Sequence, residues 1–254
     1  MDAVLKRRVF EKIKDVYPAI NNKDIVVLFG SRAKGSSLPK SDVDIWIFTK
    51  RIDYFRKISL DKGLRKEGED PGFEENVVKD ILLEVKFSDL NIPKFESIFY
   101  HDILNAKPLT SIKSFKLFQS KLRKEFFKNY DNLLFKTYIH FFKELKNLEG
   151  ITKREDKLSR INLNMKKGLV VQALLRLFIV INKQPYTFDK FLSHQASELK
   201  HWGKINHFIN KLNNVTSLEE FKIIKSELRD FIDSGMPKRP YVGAWWKYLK
   251  FKGF

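Results

Sequence analysis

Apolar positions divide the chain into two regimes. Near the N-terminus Val4, Val9, Phe10, Ile13 and Val16 recur at helical spacing and predict a helix over 3–17, ended by Pro18 and the Asn21-Asn22 pair. DIVVLF (24–29) is a short continuous apolar run, read as a buried strand stopped by Gly30-Ser31. A turn containing glycine and serine covers Arg32 to Lys40, and a second strand covers Asp42 to Thr49. A polar stretch follows, with EGEDPG (67–72) as its clearest loop. A third strand covers Asp80 to Phe87, with Ile81, Leu83, Val85 and Phe87 on one face and Leu82, Glu84 and Lys86 on the other.

From about Ser111 the pattern changes to long helices. Phe115, Phe118, Leu122, Phe126, Leu133, Tyr138, Phe141 and Leu145 form one stripe, which Glu149-Gly150 is expected to end. A second long helix is expected over 156–181, then a turn at 182–186 and shorter helices over 187–200, 203–212 and 217–233. The expected class is α+β: a mixed sheet with helices over residues 1–110, then an all-helical domain over 111–254. The change falls near 91–112, where Pro93 and Pro108 stand.

Charge sharpens this division. The formal net charge is +18. Residues 1–90 hold 18 basic and 16 acidic side chains, a balance of +2; residues 91–254 hold 31 and 15, a balance of +16. A field of that sign attracts polyanions and repels polycations, although a lysine-rich composition by itself produces the same number. Cysteine is absent, which removes disulfides, thiolate metal sites and a thiol nucleophile. The N-terminal stretch lacks the apolar centre of a signal peptide, and the most apolar helical run, Leu169 to Ile181, carries Arg176 and is too short to span a bilayer. A cytoplasmic protein with no membrane partner is expected.

The chemistry concentrates in the second strand. Asp42 and Asp44 stand two positions apart, so they project from one face, where like charges repel. Glu84 is a third carboxylate inside an apolar strand, with Asp80 as the alternative on the same face. Converging carboxylates become favourable when they share Mg²⁺, a hard cation that prefers oxygen and also binds phosphate oxygens. Gly30-Ser31 permits close backbone approach to a phosphate, and Arg32 and Lys34 add positive charge beside it. The bland readings are a solvated strand end for the aspartates, a Glu84–Lys86 surface pair, and ordinary loop charges for Arg32 and Lys34. His101, His140, His194, His201 and His207 show no metal-ligand spacing.

GSRAKGSSLPKSDVDI followed by a later strand carboxylate resembles the DNA polymerase β-like nucleotidyltransferase superfamily over about the first 90 residues. That resemblance implies two Mg²⁺ ions held by Asp42 and Asp44, with Glu84 completing the set and taking the proton of the attacking hydroxyl. It implies an NTP donor, with ATP first in line, whose β- and γ-phosphates meet Gly30 and Ser31, and release of pyrophosphate. Leu174-Leu175-Arg176 through Asn182, Pro185-Tyr186 and Lys190-Phe191-Leu192 are similar to the helical domain of antibiotic nucleotidyltransferases of the aminoglycoside type, which makes Lys190 a candidate for the nucleotide phosphates.

The charge disfavours a polycationic acceptor and leaves RNA, an anionic metabolite or a neutral hydroxyl compound. The tail RPYVGAWWKYLKFKGF interleaves aromatic and basic residues, as a base-stacking surface does, though such tails also pack their rings on the body. The alternative to an adenylyltransferase is a catalytically silent module that binds a nucleotide or RNA.

Overall fold

The computed structural model describes residues 3–34, 42–61, 74–78, 81–91, 97–110, 112–152 and 157–235. EGEDPG, Asp80 and the aromatic-basic tail lie outside them. The chain divides into two compact units, residues 1–126 and 127–254.

The first unit is built on a five-stranded mixed sheet. Its strands are β1 (Ile25–Leu28), β2 (Val43–Phe48), β3 (Glu74–Val78), β4 (Ile81–Ser88) and β5 (Lys107–Pro108), in spatial order β3-β4-β2-β1-β5. Only β2 and β4 pair in parallel; the other pairs are antiparallel. Helices α1 (Ala3–Val16), α2 (Gly30–Lys34), α3 (Ile52–Asp61) and α4 (Ser97–Asn105) interleave with the strands.

Alternation along β2 and β4 separates two faces. Val43, Ile45 and Ile47 of β2 join Leu83, Val85 and Phe87 of β4 in a core with Val9, Ile13 and Tyr17 of α1 and Phe55 of α3. Phe87 stacks on Phe55 at 5.5 Å and meets Tyr17 edge-on at 5.2 Å. The opposite face carries Trp46 and Phe48, met by Phe99 of α4 at 5.6 Å and by Phe118 at 4.8 Å. Both faces are therefore covered, and β2 reads as an apolar run after its acidic start. Beyond the C-terminal end of β2, Thr49 donates to buried Asp24 at 2.6 Å, and Arg51 pairs with the same carboxylate. Asn21 adds a backbone N–H at 3.0 Å, which closes that end of the sheet.

Four elements escape the pattern-based reading. The polar stretch after β2 contains α3, whose buried positions are only Phe55 and Ser59, too few to show a period. The β3 strand pairs with β4 as a hairpin neighbour, and α4 and β5 occupy the region read as a boundary. Pro108 fits because β5 is an edge strand, where a missing N–H costs no ladder bond.

The long helix α5 (Ile112–Thr152) runs through Gly150 rather than stopping there. An interior glycine costs about 1 kcal/mol, and Glu149 next to it is tied to Lys225 at 2.6 Å. Tertiary contacts prevail. The unit boundary at Phe126–Phe127 falls inside this helix, whereas the sequence places the domain change at its start.

In the second unit, α6 (Lys157–Ile181) is the central helix, with Val170, Ala173, Leu174, Leu177, Phe178 and Val180 all buried. A 3₁₀ turn (Asp189–Phe191), α7 (Leu192–Ser197), α8 (Trp202–Asn214) and α9 (Leu218–Gly235) complete it. Buried Lys167 of α6 donates to the carbonyls of Asn213 and Val215 at 2.9 and 2.8 Å and so caps the C-terminal end of α8. No helix among the described residues is long and apolar enough to cross a membrane.

Candidate active site

The acidic site is assembled by strand register. Asp44 and Glu84 are direct partners in the parallel β2–β4 pair, and Asp42 precedes Asp44 by one pleat on the same face. The three side chains are half-buried and each offers a carboxylate oxygen within 4.8 Å of the others. Asp42, Asp44 and Glu84 thus come together as the sequence predicts.

Gly30 does more than turn the chain. Its φ is +67°, a conformation that side chains other than glycine resist. A Cβ placed on it would lie 1.9 Å from Asp44 Oδ2 and 2.6 Å from Asp44 Cγ. The Asp44 carboxylate therefore rests against the Gly30 backbone, in the space that a side chain at this position would fill. Two further bonds fix this junction. Phe29 N–H donates to the Asp44 carbonyl at 3.0 Å, and Arg32 Nε donates to the Asp42 carbonyl at 3.0 Å. Ser31 and Arg32 are half-buried in α2, which Gly30 opens and Lys34 closes.

One pleat beyond the carboxylates lies an aromatic floor. Trp46 and Lys86 are strand partners immediately after Asp44 and Glu84 on the same face. The Lys86 ammonium sits 4.6 Å from the Trp46 ring centre and 4.0 Å from that of Phe99. A cation between two ring faces gains roughly 0.5–2 kcal/mol depending on its desolvation. Trp46 Nε1 donates to Ser88 Oγ at 2.8 Å, and Phe29 packs on Trp46 at 5.2 Å. The sequence reading treats Lys86 only as an ion-pair rival for Glu84. Its stacking role could be anticipated at Trp46, a large ring in line with two aspartates, but Phe99 arrives from a helix that the pattern does not reveal.

Lys190 lies in the second unit, exposed in the 3₁₀ turn, with its ammonium 5.0 Å from the Phe191 ring. His101 is buried in α4 with Nδ1 3.2 Å from Asp102 Oδ1, an in-helix neighbour rather than a metal set.

The carboxylate set suits a hard divalent cation. Oxygens at about 2.0–2.1 Å from Mg²⁺ stand roughly 3–4 Å apart, and carboxylate oxygens already within 4.8 Å of one another need only small side-chain rotations to share an ion. The glycine that admits Asp44 is a second mark of a built site.

Comparison with known proteins gives one family match and one likeness of fold. Residues 11–114 match the family model described as "Polymerase beta, Nucleotidyltransferase". A solved nucleotidyltransferase-like protein from Exiguobacterium sibiricum 255-15 is 10% identical and aligns over 95% of this chain and 77% of its own, with a TM-score of 0.51, which is a likeness of fold. A solved toxin–antitoxin with AMP-PNP is 15% identical and aligns over 50% of this chain and 90% of its own; its TM-score of 0.31 is too low to carry a likeness. No curated protein sequence matches the chain.

Proposed function

We propose that this chain, whose residues 11–114 match the polymerase β nucleotidyltransferase family model, moves a nucleoside monophosphate from an NTP to an acceptor hydroxyl. ATP is the first donor to test. The observation that carries the reading is the meeting of Asp42, Asp44 and Glu84 on adjoining strands, against a glycine that leaves room for one of them.

Asp42 and Asp44 would hold two Mg²⁺ ions and Glu84 would complete the set; when bound, the ions neutralise phosphate charge and stabilise the leaving pyrophosphate. Gly30 and the Phe29 and Arg32 hydrogen bonds hold the aspartates in place. Glu84 accepts the proton of the attacking hydroxyl, whose oxygen forms the new bond to the α-phosphorus. The bond from that phosphorus to the bridging oxygen breaks, and pyrophosphate departs. Ser31, Arg32 and Lys34 are assigned to the β- and γ-phosphates. The net charge of +18 suits an anionic or neutral acceptor better than a polycation.

Offering α-labelled ATP, CTP, GTP and UTP with Mg²⁺ to total RNA, protein extract and a panel of hydroxyl compounds identifies donor and acceptor together. Label should move in the wild type and not in Asp44→Asn, with both proteins equally folded by circular dichroism. Transfer that survives Asp42→Asn combined with Asp44→Asn would overturn the assignment.

A further inference from the structure

We infer that the outward face of α5 between Lys113 and Lys128 is a docking surface for single-stranded RNA. The inference stands apart from the catalytic reading, because it rests on a helix face and not on the carboxylates.

The buried stripe of this helix is Phe115, Phe118, Leu122 and Phe126. Opposite it, Lys113, Lys116, Lys121, Arg123, Lys124 and Lys128 are all exposed. They occupy about 23 Å of helix. No acidic side chain interrupts the face. Glu125 is half-buried at its edge, half-buried Asp131 follows about one turn beyond Lys128, and farther along Glu144 and Glu149 are drawn to Lys166 and Lys225 of the helices packed beside them. Lys113, Lys116, Lys121 and Lys124 enter no ion pair among the described residues. Lys113 and Lys116, Lys121 and Lys124, and Lys124 and Lys128 are like-charge neighbours at i,i+3 or i,i+4. Each such pair costs a few tenths of a kcal/mol. A polyanion laid along the face would turn that cost into affinity.

Two large apolar side chains stand within the basic stripe. Leu117 is 60% exposed and Phe127 56% exposed. A ring among lysines is what a nucleic-acid strand uses, since its bases stack while its phosphates meet the cations. An anionic membrane would instead need a broad free apolar face, and the apolar face of this helix is already packed inward. Nucleic acid with unpaired bases in a cell is chiefly RNA.

The test measures fluorescence anisotropy of a labelled 20-nucleotide single-stranded RNA with the full-length chain across a KCl series. Replacing Lys113, Lys116, Lys121 and Lys124 by Gln should lower the slope of log affinity against log salt by about 3, at roughly 0.7 per lost phosphate contact. It should raise Kd at least tenfold near 150 mM salt. Lys23, Lys200, Lys204 and Lys222→Gln, the same charge change on exposed positions of other elements, should change Kd less than twofold. Phe127→Ala should weaken binding several-fold at unchanged slope. Equal losses in the two quadruple variants would overturn the surface. So would equal capture of the chain by phosphatidylserine vesicles or polyglutamate. Asp44→Asn should bind RNA as the wild type does, so that a failed catalytic assignment and a failed docking surface give different results.

Discussion

Gly30→Ala is the most demanding single substitution in the first unit, and its effect can be worked from two distances and one angle. The new methyl carbon would lie 1.9 Å from Asp44 Oδ2, where a real Cβ contact is essentially never under 3.0 Å. The carboxylate must retreat by at least about 1 Å, or the backbone must rotate out of its left-handed conformation at φ +67°. Holding alanine in that conformation costs about 1–2 kcal/mol, and the displaced carboxylate loses its place in the acidic set. Misplacing a catalytic group by about 1 Å costs on the order of 100-fold in rate. The variant is therefore expected to remain folded, to lose about 1–3 kcal/mol in urea unfolding, and to lose at least about 100-fold in nucleotidyl transfer. A readout independent of turnover is the thermal shift on adding Mg²⁺ or Mn²⁺, which should shrink. Gly168→Ala provides the control. Gly168 is an exposed position of α6 with nothing within 4 Å of its added carbon, so alanine there should stabilise by about 0.5–1 kcal/mol and leave metal response intact. Wild-type metal response and transfer in Gly30→Ala would refute the close approach of Asp44 to the turn.

Other substitutions separate site chemistry from scaffold. Asp42→Asn with Asp44→Asn removes two mutually repelling charges, so without metal it should melt at or above the wild-type temperature by differential scanning fluorimetry, and it should lose the rise that Mg²⁺ produces. Asp24→Ala strips Arg51, Thr49 and the Asn21 N–H of their shared acceptor, and should cost about 3 kcal/mol in urea unfolding while any RNA binding persists. Lys167→Met leaves the carbonyls of Asn213 and Val215 without their donor; about 2–4 kcal/mol should be lost, and a smaller loss would mean that water replaces the ammonium. Burial raises the Asp233 carboxyl above the usual carboxylate range, against the lowering effect of the Tyr138 hydroxyl bonded to it at 3.2 Å and of Arg229. A raised folded-state value means that its contribution is full below about pH 4 and is lost as pH rises through that value. Asp233→Asn should flatten that decline and raise stability at pH 7, as read from Tm across pH 3–8.

What the sequence disclosed and what it hid follow from where the information sits. The pairing of Asp42 with Asp44 is legible because period two operates within one strand and needs no partner. Glu84 is legible as a charge in an apolar strand, but its place beside Asp44 depends on the parallel register of β2 and β4, which no local pattern encodes. The face of β2 beyond the aspartates is obscured because Trp46 and Phe48 are as apolar as Ile45 and Ile47; only their coverings, Phe99 and Phe118 on one side and Phe55 and Tyr17 on the other, tell the faces apart. Gly30 was legible as a turn residue, yet its reason is the carboxylate that fills the place of its missing side chain.

The charge asymmetry raises a last point of the same kind. A balance of +16 over residues 91–254 does not say where the charge resides, and composition alone can produce it. Position distinguishes the two explanations. On α5 the fully exposed charges are basic, while Glu144 and Glu149 are turned into ion pairs with neighbouring helices. Compositional drift adds lysines wherever solvent accepts them and has no means of withdrawing acids from one helix face. On α9 the exposed charges are mixed in sign: Glu219, Glu220, Glu227 and Asp230 stand with Lys222, and Glu227 pairs with Lys211 of α8 at 2.6 Å. The contrast between two solvent-facing helices of one chain is thus the physical reason to treat the α5 lysines as a surface with a partner.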